Sequence, residues 1–197
     1  MDSKRNKKYL SLLTTGKELF WKHGFRRVTI EEICRNSGVS KMTYYKYFPN
    51  KFELAKTVFR NVVDEGLERF NDLMEAEIPV EEKIRNLILF KMDNTKSISQ
   101  EFLQDFYLGA EPELRRFVEE TTAGAWNELL GKYRTAQEKG IFRDDFKPEF
   151  MLKVSYKLVE MFEDESLSKL YDNPQDMIME FTNFMVYGIS PYRKHDE

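Results

Sequence analysis

The chain of 197 residues contains one cysteine and two histidines, and that scarcity excludes several classes of function. The single thiol, Cys34, has no partner for an internal disulfide, and without a Cys/His cluster there is no ligand set for zinc. Its spacing with Ile30 and Ile33 places Cys34 on the inner face of a helix as a small apolar residue. His23 falls in the last turn of an expected helix, where a cation suits the dipole. No glycine-rich phosphate loop is present, and the adjacent carboxylates Asp144 and Asp145 lie in a polar loop. An enzyme, a metal site and a cofactor are therefore not expected. Long apolar runs are missing as well. None approaches the roughly 18 residues that span a bilayer, and no signal peptide opens the chain, so a cytoplasmic protein with no membrane contact is expected. Strand-like alternation, internal repeats and low-complexity segments are absent, which leaves an all-α fold.

What is present is a globular composition, 41% hydrophobic and 33% charged, enough to bury a core without staples. The net charge of −3 conceals a division: residues 1–60 carry 14 Lys+Arg against 5 Asp+Glu, and the remaining 137 carry 17 against 29. A basic leading segment on an acidic body is the electrostatic footprint of a nucleic-acid reader. Met1–Lys8, with Lys4, Arg5, Lys7 and Lys8, reads either as a frayed terminus or as an arm that approaches phosphates or a minor groove.

The stretch Thr29–Leu54 holds three helix starts. Thr29 with Glu32 forms a capping box, Ser40 opens a second short run, and Asn50 with Glu53 opens a third. Between the first two, Gly38 stands where a tight turn needs positive φ and where a Cβ would clash. Two short helices joined by such a turn make a helix-turn-helix, whose second helix enters the major groove. That helix is expected over about Ser40–Phe48. Val39, Tyr44 and Phe48 would point inward, leaving Lys41, Met42, Thr43, Tyr45, Lys46 and Tyr47 for phosphates and base edges. Lys51, at the positive end of the following helix, is placed to bind a phosphate.

The segment Gly38-Val39-Ser40-Lys41-Met42-Thr43-Tyr44-Tyr45-Lys46-Tyr47-Phe48, followed by Asn50-Lys51 and Leu54 and preceded by Thr29 and Ile33, closely resembles the DNA-binding segment of TetR-family repressors. Cys34 and Ser37 stand where that family usually has alanines, and both are small enough for the same packing. The resemblance covers the first quarter to third of the chain. It implies an N-terminal three-helix DNA-binding domain over residues 1–52 and a larger helical effector-binding and dimerisation domain over 53–197, about nine helices in total. It also implies a homodimer on an inverted-repeat, double-stranded operator. By the same resemblance Lys41 reaches a base edge, most naturally guanine. Met42 and Thr43 touch thymine methyls or, for Thr43, a phosphate. Thr29, Tyr45, Tyr47 and Lys51 contact the backbone, and Ser40 joins the DNA-binding set.

Beyond residue 50 the pattern gives a helix through about Met74, one opened by Pro79, a short run at Phe102–Tyr107, and helices opened by Pro112, Pro148 and Asn173–Pro174. The last two are apolar over a broad arc, which argues for a partner surface. Phe150, Met151, Val154, Leu158, Met177, Phe181, Phe184 and Met185 are the expected dimer interface, as the last two long helices are in the family. Met92, Phe102, Phe106, Tyr107, Trp126, Tyr156 and Met161 are candidates for the wall of an effector pocket. Their Met- and aromatic-rich character points to a small apolar or aromatic molecule of unknown identity. The expected function is a ligand-responsive repressor released from its operator. The alternative is an architectural or partner-regulated DNA-binding factor without a small-molecule effector, which would have a solid core.

Overall fold

The computed structural model describes the backbone of residues 2–191 and the side chains of residues 7–191. Lys4 and Arg5 of the expected arm, and His195, lie outside the described side chains; Lys7 and Lys8 are exposed. In chain order the helices are α1 (Asp2–Arg27), α2 (Ile30–Ser37), α3 (Lys41–Tyr44), α4 (Lys51–Glu75), α5 (Val80–Thr95), α6 (Gln100–Phe106), α7 (Pro112–Glu138), α8 (Pro148–Met161), α9 (Glu165–Ser168) and α10 (Pro174–Ile189). The fold is all-α, and no strand occurs among the described residues. Among the described residues ten helices stand where about nine are expected. The addition is α9, a single turn capped by the Asp164 carboxylate, which accepts from the Ser166 and Leu167 N–H groups at 2.8 and 3.1 Å. One turn has no periodicity to read. No helix among the described residues is long and apolar enough to cross a membrane.

The chain packs as two compact units, Met1–Val63 with Ser97–Thr121, and Asp64–Lys96 with Thr122–Glu197. In the first unit α1 packs against α2 and along α6. Where the sequence suggests that α1 stops, Gly24 breaks its geometry at φ 75°, ψ 172°, and the chain turns on to Arg27. That backbone conformation belongs to glycine, and space demands glycine too. A Cβ there would lie 2.6 Å from Asp105 Oδ2 and 2.9 Å from the Glu101 carbonyl oxygen. The kink therefore lets α6 seat directly on α1. Asp105, only 2% exposed, accepts from the Arg26 backbone N–H at 2.9 Å and from Arg26 Nε at 2.7 Å. Around this contact the rings of Trp21 and Phe102 lie 4.4 Å apart, and those of Phe102 and Phe106 4.5 Å apart. Each such buried aromatic contributes about 1.5–3 kcal/mol by leaving water.

The carbonyl end of α1 is closed by a residue from α4. Lys51 Nζ donates to the carbonyls of Phe25 at 2.6 Å, Val28 at 2.7 Å and Arg26 at 3.4 Å, and lies 4.2 Å from the centre of the Phe25 ring. Asn50 caps α4, its side chain accepting from the Glu53 N–H at 2.9 Å.

In the second unit α5 packs along α10. Phe70, Leu73, Met74, Ile84, Ile141, Phe142, Met151 and Ile189 share one core. Lys83, 4% exposed, repeats the role of Lys51: its ammonium donates to the carbonyls of Leu73 at 2.7 Å, Met74 at 3.1 Å and Ala76, at the end of α4. Pro79 is the N-cap of α5 and not its first helical residue, while Asn173 caps α10 through the Asp176 N–H at 3.1 Å.

Two substitutions test this account. Gly24→Ala should lower unfolding stability by about 1–3 kcal/mol, the usual cost of forcing a side chain into such a backbone region. Lys51→Ala should lower it by about 1–2 kcal/mol by leaving half-buried carbonyls without a donor. Urea midpoints read both, and an unchanged midpoint removes the corresponding contact from the account.

Candidate nucleic-acid interface

The helix-turn-helix is assembled from local capping. Thr29 sits at φ −108°, ψ 155°, and its hydroxyl accepts from the Glu32 N–H at 3.2 Å, so α2 starts where the capping box places it. Gly38 ends α2 in the left-handed region, φ 65°, ψ 23°. Its N–H donates to the Arg35 carbonyl at 3.4 Å, and the Val39 N–H donates to the Cys34 carbonyl at 3.0 Å, which closes the helix end. Nothing lies within 4 Å of an added Cβ. The glycine is therefore required by its dihedral angle, and the expected clash with neighbours does not exist. Ser40 opens α3, accepting from the Thr43 N–H at 3.3 Å while its own hydroxyl donates to Thr43 Oγ1 at 3.0 Å. Ser11 ties α1 to the end of α2 by donating to the Ser37 carbonyl at 2.8 Å.

Regular helix in α3 covers only Lys41–Tyr44, and turns carry the chain on to Phe48. Val39, Tyr44 and Phe48 point inward as their spacing indicates, all buried. Tyr44 donates its hydroxyl to the Asn50 carbonyl at 3.2 Å, and burial pushes its phenol pKa up. The outer face presents Met42 at 72% exposure and Tyr45 at 49%, with Ser40, Lys41 and Lys46 also exposed. Tyr47 is half-buried, its ring 5.5 Å from that of Tyr9. Cys34 is buried, and desolvation raises its thiol pKa, so it serves packing.

One ion pair crosses the face: Lys41 Nζ donates to Glu31 Oε1, joining the first turn of α2 to that of α3. Sequence reasoning passed over Glu31, since an acid there reads as an ordinary dipole-stabilising residue. Its position ten residues before Lys41 carries no periodic signal.

Lys51 departs from its expected phosphate role. Its ammonium is directed at three carbonyls and desolvation lowers its pKa, so it positions α1 against α4. Thr29, Ser40, Lys41, Met42, Thr43, Tyr45 and Tyr47 all belong to the first unit and to one short stretch of chain.

The other expected residues divide. Phe102, Phe106 and Tyr107 belong to the first unit, where Phe102 and Phe106 are core residues stacked under α1. Met92, Trp126, Tyr156 and Met161 belong to the second, where Met92, Tyr156 and Met161 are exposed. Among the dimer-interface residues, Met151 and Met177 are already buried within the chain and have no surface left to offer a partner. Phe150 and Phe184 are 65% and 74% exposed, and Tyr187, which the sequence reading omitted, is 66% exposed. No group of three or more His, Cys, Asp or Glu among the described residues is placed to hold a metal ion.

Residues 12–58 match the family model for bacterial regulatory proteins of the tetR family. The chain is 27% identical over 158 residues to MftR of Mycobacterium tuberculosis, a transcriptional regulator named for mycofactocin biosynthesis, covering 77% of this chain and 78% of that one. It is 22% identical over 174 residues to the fatty acid metabolism regulator protein of Bacillus subtilis, covering 85% and 86%. The crystal structure of FadR from Bacillus subtilis in complex with stearoyl-CoA superposes with a TM-score of 0.62 at 18% identity, over 92% of this chain and 99% of that one, and so shares the fold. The capped helix-turn-helix on the basic leading segment is thus matched, across the whole motif, by the family model for bacterial regulatory proteins of the tetR family, and the fold of the chain is that of solved TetR-type regulators.

Proposed function

We propose that this protein is a homodimeric, ligand-responsive repressor that binds an inverted-repeat operator through residues 1–52 and takes up an apolar or aromatic effector within residues 53–197. The observation that carries the DNA half is the exposed face of α3, polar and basic at Ser40, Lys41 and Lys46, above the buried Val39, Tyr44 and Phe48. Lys41 donates to the O6 and N7 acceptors of guanine. Met42 packs on a thymine methyl, and Thr43 does the same or contacts a phosphate. Thr29, Tyr45 and Tyr47 contact phosphates and fix register without reading sequence.

Dimerisation is supported by α8 and α10, where Phe150, Phe184 and Tyr187 leave large apolar surface in water. An open groove on α8 bounded by Phe150, Val154, Tyr156 and Lys157 adjoins this surface. A two-fold axis through such a face pairs two recognition helices on two half-sites. An apolar effector is supported by the stearoyl-CoA held in the Bacillus subtilis FadR structure. It releases DNA by favouring a dimer geometry whose recognition helices no longer match the half-site spacing.

Selection of bound duplexes from a random pool should enrich one palindrome, and a screen on that duplex should find apolar compounds that release it. No enrichment at moderate salt would overturn the proposal. Lys41→Ala should weaken the selected duplex about ten- to a hundredfold and random DNA far less, as loss of one base contact does. Equal losses on both would remove its base-reading role. Phe184→Asp, at a side chain 74% exposed in the protomer, should give a folded monomer by sedimentation with weakened operator binding. A dimer of unchanged affinity would move the interface elsewhere.

A further inference from the structure

Glu31 is an anomaly on the face just described. The Lys41 ammonium that reads guanine in the proposed function is held by the Glu31 carboxylate in the free protein. Both side chains are open to water, 52% exposed for Lys41 and 65% for Glu31. A pair so exposed adds little to folding. Thr29 caps the Glu32 N–H of α2 and the Glu31 carboxylate takes a hydrogen bond from its own backbone N–H, so the start of the helix does not depend on the bond to Lys41. Hydrogen bonding to Lys41 holds the Glu31 pKa below the usual carboxylate range, so the group is fully ionised at neutral pH. A negative charge is thus kept on the surface that must meet a polyanion, where any phosphate beside it is repelled.

Base chemistry removes the anomaly. An ionised carboxylate only accepts hydrogen bonds, and the donors in the major groove are the amino groups of cytosine and adenine, with cytosine N4 the usual partner of Glu. Lysine only donates, and guanine offers two acceptors. A Lys and a Glu side by side are therefore complementary to a guanine and a cytosine side by side. On any other sequence they remain paired with each other, and one positive charge per protomer is withheld from the phosphates.

Resting on the DNA-binding reading above, we propose that Glu31 is a specificity-determining residue: its carboxylate accepts from the N4 amino group of a cytosine adjacent to the guanine taken by Lys41, and on other sequences it keeps Lys41 off the backbone.

The test is selection from a random duplex pool by full-length wild type, Glu31→Ala and Glu31→Gln, followed by titration of the selected and a random duplex over a range of salt. Wild type should enrich a palindrome with cytosine next to guanine in each half-site. Glu31→Ala should keep the guanine and lose the cytosine. Its ratio of selected to random affinity should fall about tenfold, the scale of one base contact. Its salt dependence on random DNA should steepen by about two phosphate contacts, one per protomer. Glu31→Gln, whose amide oxygen still accepts, should keep part of the cytosine preference while showing the steeper salt dependence. If wild type enriches a palindrome and Glu31→Ala enriches the same one with the same ratio and salt slope, Glu31 is only a bridge between helices and the assignment is overturned. If wild type enriches nothing, the DNA-binding reading fails together with it.

Discussion

The recognition surface depends on the burial of one side chain. Four residues of regular helix, Lys41–Tyr44, are far below the length at which a helix holds itself in water. What fixes this turn is Tyr44, with no exposed surface. Its ring lies 5.9 Å from that of Phe48, and its hydroxyl is on the Asn50 carbonyl. The ring supplies the apolar contribution, and the hydroxyl avoids the cost of an unpaired buried donor. Because Tyr44 is anchored at both ends, Lys41, Met42 and Tyr45 are presented at fixed angles around it. The direction in which Lys41 leaves the surface is thus set by a buried ring three residues along the chain.

Each unit also closes a helix end with a lysine, α1 in the first and α4 in the second. Lys51 and Lys83 each place an ammonium among the last carbonyls of a helix. A cation there satisfies orphan acceptors and the negative end of the dipole together. The cost is desolvation, visible in the lowered pKa of Lys51. Lysine suits the position because three donors on one nitrogen fan out to three carbonyls, which a planar guanidinium would not match.

The legible parts of the structure were those decided by neighbours in sequence. Thr29, Ser40, Asn50 and Asn173 cap helices as their side chains suggest, because a cap interacts with backbone two or three residues away. The inward set Val39, Tyr44 and Phe48 followed from spacing alone. Residues whose role depends on a distant partner were not legible. Lys51 read as a phosphate ligand because its three carbonyls come from 23 to 26 residues earlier. Phe102 and Phe106 read as a pocket wall, yet their partner is Trp21 on α1. Met151 and Met177 read as surface because a wide apolar arc does not show which part of it the chain itself covers.

The placement of α6 bears on what can move within the first unit. Helix α6 packs in the same unit as the recognition helix, and its Asp105 carboxylate is buried on two donors of Arg26. Sliding α6 along α1 would strand that carboxylate, at roughly the 3–5 kcal/mol that an uncompensated buried charge costs. It would also drive Glu101 and Asp105 into the Gly24 kink, where no room remains. The first penalty alone matches or exceeds the 1–3 kcal/mol typical of a coupling energy between sites. Sliding one helix over the other is therefore opposed, and α1 and α6 are held as one body within the first unit. The same buried aspartate thus ties α6 to the kinked end of α1, from which α2 and the turn carrying Lys41 follow in the chain.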